Sequence, residues 1–186
     1  VLLVPGVSAA AQEAATGDPG GCLLWFDAMD VDGDTAPDAL AGGVPLGAWA
    51  SKAGGHTAAQ PETSLQPVYE DARVTGYPAL RFQGTQCLVT GFAADWSAAD
   101  WTVFAVATMD ASAPDNYRGI IGNRFGPGDA RWWTLGTKGD GSAYLELAAG
   151  VGVHTQLRLA DSNAHLYTII KRGHAFQLYQ DGALLG

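Results

Sequence analysis

A short apolar run that leads directly into an acidic turn restricts the possible folds more than any other part of the sequence. Residues 23–26 (Leu-Leu-Trp-Phe) are aliphatic and aromatic, as is typical of a strand in the core of a sheet. Five aspartates follow between positions 27 and 38. Because burying unpaired carboxylates is costly, the chain must leave the sheet there. The sequence therefore predicts a core strand followed by a turn at the surface.

The aspartates of this turn have the spacing of a calcium-binding loop. Positions 1, 3, 5 and 9 of the loop pattern are occupied by Asp30, Asp32, Asp34 and Asp38. Alternating aspartates bring together several hard oxygen ligands, which Ca²⁺ requires. However, Thr35 stands where the pattern has its turning glycine, and Ala41 where it has a bidentate glutamate. The two alternatives are a structural calcium ion and a solvated turn whose carboxylates accept hydrogen bonds from nearby backbone amides.

The composition indicates one compact domain, rich in turns, that does not bind nucleic acid. A length of 186 residues suits a single domain, and 25 glycines favour turns over helices. The formal net charge of −9 would repel nucleic acid phosphates and anionic membranes. Neutral sugars, cations and basic protein surfaces are compatible with it. The sequence has no apolar run close to the roughly 20 residues of a membrane span.

The N-terminal residues indicate secretion. Residues 1–12 resemble the end of a signal peptide, with an apolar stretch, a Pro-Gly break and small residues of the Ala-x-Ala type. An apolar strand or linker is the alternative. Residues 13–21 are predicted to be a flexible lead-in, and residues 22–186 the domain. In an oxidising compartment Cys22 and Cys87 form either a disulfide or two buried thiols.

The remaining pattern predicts an all-β domain. Residues 42–66 are predicted to be irregular because glycine, alanine and proline are frequent there, and residues 79–82 and 87–89 are predicted to form a hairpin. Further predicted strands lie at 101–109, 117–123, 131–136, 143–148, 155–159, 165–171 and 176–180. Short strands at this spacing, separated by glycine turns, are typical of a sandwich or jelly roll.

Several short segments resemble one known family in their order and spacing. They are LWFDA at 24–28, DGD at 32–34, WASK at 49–52, QPVY at 66–69, PALRFQG at 78–84 and QLYQDG at 177–182. In this they are similar to laminin-G-like domains of the concanavalin A-like lectin and glucanase superfamily, which are common in large secreted bacterial proteins. The resemblance implies a jelly-roll sandwich of two antiparallel sheets, with a curved face that often handles glycans. It also implies that the final strand or strands are missing, because the family continues past this last hairpin.

The glutamates and histidines do not form a catalytic pattern. The glucanase branch uses paired carboxylates on one strand, whereas Glu146 lies in a predicted strand with no carboxylate two or four residues away. Lyase chemistry would need a Tyr or His base with Arg or Gln beside it, and the candidates do not fall in a signature. His56, His154, His165 and His174 are dispersed, without the spacing of a zinc site.

The aromatic residues give the best candidate for ligand binding. Trp132 and Trp133 are adjacent in a predicted strand and therefore point to opposite faces, so one is expected in the core and the other outside. An outward indole can stack on a sugar ring, while Tyr117, Asn123 and Arg131 can supply hydrogen bonds. The alternative is that a loop covers the outer tryptophan.

The function predicted is therefore a non-catalytic, extracellular carbohydrate-binding or adhesion module of a larger secreted or cell-surface protein. Its partner would be a glycan or another extracellular protein. One alternative is a polysaccharide lyase or glycoside hydrolase with an atypical site. Another is a structural or assembly module.

Overall fold

The computed structural model of the chain describes residues 2–4, 21–92, 99–110, 118–123, 133–147, 152–158 and 161–186. Regular structure in these residues is almost entirely β-strand, which confirms the all-β prediction. The chain divides into two compact units, Val1–Ala93 and Ala94–Gly186, and the strand pairs within each unit are antiparallel. Within the described residues, none of the helical structure has the length and hydrophobicity to cross a membrane.

The first unit consists of short strands in small sheets. Its strands are β1 (Leu2–Val4), β2 (Leu24–Trp25), β3 (Ala48–Ala50), β4 (Thr57–Ala59), β5 (Val68–Val74), β6 (Tyr77–Arg81) and β7 (Val89–Thr90). β1 pairs with β2, β4 lies between β3 and β7, and β5 forms a hairpin with β6. β1 belongs to segment 1–12, whose resemblance to a signal-peptide end stays a prediction.

Two predictions for this unit are wrong. Residues 42–66 are not simply irregular, because they contain β3 and β4, whose weak strand formers are held by pairing and by burial of Ala58. Residues 79–82 and 87–89 do not form a hairpin with each other. Gln83 to Gln86 is a turn, but β6 before it pairs with β5 and β7 after it pairs with β4. The turn residues indicated the reversal correctly; the partner of each strand is set by contacts distant in sequence.

A hydrophobic cluster ties the acidic turn to β5 in this unit. Val31, from the turn, is buried with Leu46 and Tyr69, and three partly buried residues pack on them: Leu40, Trp49 and Leu80. Backbone bonds reinforce this packing, since the amide of Leu46 donates to Pro67 O at 2.8 Å and the amide of Ala50 donates to Val31 O at 2.7 Å. The turn is therefore anchored by an apolar residue among its aspartates.

The second unit has longer strands in two sheets. They are β8 (Trp101–Thr108), β9 (Arg118–Gly122), β10 (Trp133–Thr137), β11 (Ser142–Leu147), β12 (Gly152–Arg158), β13 (Ala164–Arg172), β14 (Ala175–Gln180) and β15 (Ala183–Leu184). One sheet has the order β12-β11-β10-β9, and in the other β13 pairs with β8 and β14, and β14 with β15. Every strand predicted from residue 101 onward has a counterpart here.

The two sheets of the second unit contact each other through aromatic side chains, which is consistent with a β-sandwich. Trp101 of β8 contacts Trp133 of β10, with ring centroids 5.1 Å apart. In the sheet that contains β8, β13 and β14, Ile169 of β13 pairs with Val103 of β8 and with Leu178 of β14, and all three are at most 1% exposed. Burying each such side chain contributes about 1.5–3 kcal/mol. A register shift of one residue would turn this row to the opposite face of the sheet, so packing fixes the register.

A tight turn joins β14 to β15. Tyr179 pairs with Leu184 and Gln180 with Ala183, which leaves Asp181 and Gly182 as a two-residue loop. Both loop residues have positive φ, at 50° and 81°. Asp-Gly is favoured in such hairpin loops because aspartate tolerates and glycine readily adopts this backbone conformation. The turn holds the Asp181 side chain beside β13.

Candidate functional site

The acidic turn is organised around Asp30, which is only 2% exposed. Its Oδ1 accepts a hydrogen bond from the amide of Gly33 at 2.8 Å, and its Oδ2 accepts one from Thr35 at 2.9 Å. These amides reach it because Gly33 and Thr35 both have positive φ, 75° and 77°. That conformation is uncommon for a threonine and costs about 1–3 kcal/mol. The Asp30 carboxylate therefore holds the backbone of the turn in a conformation that it would not adopt unaided.

Lys52 provides a cation for this turn. Its Nζ lies 3.2 Å from Asp27 Oδ2 and 3.5 Å from Asp30 Oδ2. The same ammonium stands 4.5 Å above the ring of Trp25, close enough for a cation–π interaction. The amide of Lys52 donates to Trp25 O at 2.8 Å, which fixes the residue against β2. A positive charge of the chain itself thus faces the most buried aspartate of the turn.

The predicted calcium ligands are brought together only in part. Asp30, Asp32 and Asp38 can each place one oxygen within 4.8 Å of the others, and Asp34 is not in this group. The carboxylates also accept backbone hydrogen bonds, for example from Val31 to Asp38 at 2.5 Å. This is the bonding expected of the solvated-turn alternative. A calcium ion at Asp30 would have to share oxygens that already serve two amides and an ammonium, so calcium stays a prediction.

The structure describes two of the five predicted sugar contacts. Trp133 is 3% exposed and packs on Trp101, so it is the core member of the tryptophan pair and offers no ring face to a sugar. Asn123 Oδ1 accepts a hydrogen bond from the Trp133 amide at 2.7 Å. That bond extends the pairing of β9 with β10. The other three predicted contacts, Tyr117, Arg131 and Trp132, lie outside the described residues.

Cys22 and Cys87 are not joined in this structure, so the disulfide alternative is not realised. The thiol of Cys22, which is buried, donates to Leu24 O at 3.4 Å. The sulfur of Cys87, which is exposed, accepts from Gln60 Nε2 at 3.4 Å. Each sulfur has a different polar neighbour. The alternative of two buried thiols is correct only for Cys22.

A second charged cluster, in the second unit, escaped sequence reasoning. His165 Nδ1 lies 2.5 Å from Asp181 Oδ2, and His165 Nε2 lies 3.1 Å from Asp161 Oδ2. The hydrogen bond to Asp181 is the main cause of a raised pKa for His165. The pKa of Asp181 is lowered, chiefly by the same bond. No short-range spacing marked this cluster, because its aspartates come from turns at either side of β13 and β14.

Three described residues, Glu146, His165 and Tyr167, lack the surroundings that a catalytic carboxylate or a catalytic base would need. Glu146 of β11 has Thr134 and Gly152 as its cross-strand neighbours, so no second carboxylate stands opposite it. Both ring nitrogens of His165 already face carboxylates, which leaves neither available as a base. Tyr167 is 1% exposed and therefore inaccessible to a polymer, and burial raises its pKa, which keeps the phenol protonated.

Between its ends, the outer face of the β8-β13-β14-β15 sheet carries no charged side chain among the described residues; Arg172, at the end of β13, lies on the same side of the sheet. This uncharged face is the side opposite the buried row of Ile169, and it comprises Phe104, Val106, Leu166, Thr168, Ile170, Gln177, Tyr179 and Leu184. Val106 is 62% exposed, Leu184 57% and Leu166 40%, and the other members are partly exposed. The charged residues Arg172 and Asp181 stand at its ends.

Comparison of the chain with known proteins gives no match to a protein-family model, a curated protein or a solved structure. The chemistry of the two charged clusters and of the uncharged face therefore carries the functional argument.

Proposed function

We propose that the chain is a non-catalytic module that binds a neutral carbohydrate and serves as a carbohydrate-binding or adhesion part of a larger extracellular protein. The uncharged face carries this proposal. The protein has 19 acidic residues, yet none occupies this stretch of exposed sheet. A face that excludes charge in so acidic a chain suits an uncharged ligand better than a cationic or anionic one.

The side chains of the uncharged face match the two kinds of surface on a sugar. Phe104 and Tyr179 lie on either side of Thr168, in the strands flanking β13. Their backbones are therefore about 9–10 Å apart across two strand spacings. Aromatic rings can pack on the apolar faces of sugar rings, while the hydroxyl of Thr168 and the amide of Gln177 can bond to sugar hydroxyls. Apolar contact and polar contact are thus interleaved over one sheet.

The resemblance to laminin-G-like domains supports the same function and adds several expectations. The fold we propose is the concanavalin A-like jelly roll, in a secreted or cell-surface bacterial protein. A structural calcium ion at the acidic turn belongs to this proposal as well. An extracellular protein is the alternative partner for the same face.

A neutral-glycan array tests the proposal directly. The chain should bind, and Tyr179→Ala should reduce the signal at least about tenfold, which corresponds to about 1.4 kcal/mol. Tyr77→Ala is the matched control, because Tyr77 is 60% exposed but lies in the β5–β6 hairpin of the first unit. Trp132→Ala tests the remaining aromatic candidate in the same assay. A blank array, or equal losses in Tyr179→Ala and Tyr77→Ala, would refute binding at this face.

Self-association is a second candidate, favoured by one observation. Val106 and Leu166 are direct cross-strand neighbours and are both exposed aliphatic residues. A second copy of the chain could cover them. Analytical ultracentrifugation should then show a dimer that Val106→Lys converts to monomer. A monomeric wild-type chain at high concentration would exclude this candidate and leave glycan binding unaffected.

The enzyme alternative has a simple assay. Incubation of the chain with pooled polysaccharides should release neither new reducing ends nor unsaturated sugars. Release of either product would replace the binding proposal with a catalytic one.

A further inference from the structure

We propose that Asp161, His165 and Asp181 form a clasp that depends on protonation. Its hydrogen bonds link the turn before β13 to the turn between β14 and β15, and this link is lost when His165 loses a proton. The clasp lies entirely in the second unit and does not depend on glycan binding. It is defined by the positions of both imidazole nitrogens.

The geometry requires a charged imidazole. Nδ1 of His165 lies 2.5 Å from Asp181 Oδ2, and Nε2 lies 3.1 Å from Asp161 Oδ2. A carboxylate can only accept a hydrogen bond, so each nitrogen must donate one. Neutral histidine has a single N–H and could satisfy only one carboxylate, leaving a lone pair of the other nitrogen against a negative oxygen. The imidazolium alone satisfies both contacts.

The two carboxylates are held in place by groups other than the histidine. Asp181 Oδ1 accepts a hydrogen bond from the amide of Leu166 at 2.9 Å, and the Asp181 amide donates to Leu166 O at 2.9 Å. Asp161 Oδ1 accepts from the amide of Asn163 at 2.9 Å. The aspartates are therefore preorganised on their turns, and His165 bridges them.

Few other groups can disturb this titration. From its own strand, Tyr167 has its ring centroid 6.1 Å from that of His165. From β8, the residue opposite His165 is Ala107, which has no titratable group. The adjoining turns supply Asp161 and Asp181 themselves. Among the described neighbours of His165, the carboxylates thus dominate the electrostatics.

The sign of the pH dependence follows from the direction of each pKa shift. The pKa of His165 is raised, first by its bond to Asp181, so its contribution is full below the unfolded value of about 6.5 and is lost as pH rises through the folded value. Bonds to Asn163 lower the pKa of Asp161 to about 2. That contribution is present above about 3.9 and is lost as pH falls toward 2. The clasp is closed between these limits.

An NMR titration of the labelled whole chain tests the protonation state without a mutation. Long-range ¹H–¹⁵N spectra should show both ring nitrogens of His165 protonated at pH 6, with a midpoint above about 6.5. A midpoint at or below that value, or a single protonated nitrogen at pH 6, would overturn the proposal. Because this measurement uses the wild-type chain, it remains decisive even if variants fail to fold.

Thermal unfolding of His165→Gln tests whether the clasp stabilises the folded chain in a way that depends on pH. The variant should lower Tm by more at pH 6 than at pH 9, with a difference of about 1–4 °C between the two pH values. His174→Gln, at an exposed histidine in the turn after β13, is the matched control and should show no such difference. Equal losses in His165→Gln at both pH values would contradict a protonation-dependent clasp.

Discussion

The acidic turn and the clasp both bring carboxylates close together, and each balances their charge with a different cation. In the turn, Asp30 is 2% exposed and faces Lys52. In the clasp, the side chains of Asp161 and Asp181 are 39% and 52% exposed and face His165. Lysine carries its charge throughout the physiological pH range, whereas histidine changes charge within it. Burial therefore determines how much each cluster contributes to the free energy of unfolding, and the type of cation determines whether that contribution changes with pH.

The largest effect is expected at Asp30. Asp30→Asn removes the charge that faces Lys52 and one acceptor for the amides of Gly33 and Thr35, so we expect a loss of about 2–4 kcal/mol in the free energy of unfolding. Urea denaturation measures it.

Asp34→Asn is the matched control for Asp30→Asn. Asp34 is an exposed aspartate of the same turn, and within the described part of the chain its side chain accepts a local hydrogen bond from Ala36 at 2.8 Å. Its replacement should cost less than about 0.5 kcal/mol. Equal losses in the two variants would mean that burial does not distinguish them.

Replacing the permanent cation should give the next largest effect. Lys52→Met keeps an unbranched stem beside Trp25 but leaves Asp27 and Asp30 without the ammonium, for a loss of about 1–3 kcal/mol. The loss should be the same at pH 6 and pH 8, in contrast to His165→Gln. Chemical denaturation at both pH values provides the measurement. A loss of stability at only one of the two pH values would mean that the acidic turn depends on pH as the clasp does.

The strands of the second unit could be predicted from the sequence better than those of the first unit, and the reasons are physical. Strands after residue 101 were predictable because long apolar runs alternate with glycine turns, and the Asp181–Gly182 loop is a local signal. The strand pair β3–β4 was missed because alanine carries little strand propensity and only tertiary pairing holds it. Sequence patterns report such local signals, not partners distant along the chain.

The charged sites show the same limit. The aspartates of the turn were visible, but Lys52 lies 22 residues beyond Asp30, and its approach depends on the fold. The clasp joins the turn before β13 to the turn after β14. These two turns lie close together because β13 pairs with β14, with Tyr167 opposite Gln180. Trp133 and Trp132 illustrate the remaining ambiguity, since alternation separates their faces but does not say which one is inside.

Calcium binding should have a smaller effect on stability, and this effect should differ between the wild-type chain and Lys52→Met. If the ion binds at Asp30, Asp32 and Asp38, the nearby ammonium of Lys52 opposes it, so Lys52→Met should respond more strongly than the wild-type chain. At ten times its dissociation constant, calcium would add about 1.4 kcal/mol of stability. Differential scanning calorimetry with calcium and with a chelator measures this. No response in either protein would assign the turn to backbone hydrogen bonding alone.

The smallest expected effect is a change with salt concentration in the stability that each cluster contributes. Exposed ion pairs are screened at an ionic strength of 1 M, where the Debye length is about 3 Å, whereas buried pairs are screened much less. The loss of Tm in Asp181→Asn should therefore shrink when sodium chloride is raised from about 0.05 M to about 1 M. The loss in Asp30→Asn should persist, because solvent ions do not reach a carboxylate that is 2% exposed. If salt diminished both losses equally, the two clusters would share one electrostatic environment, and burial could not be the property that separates them.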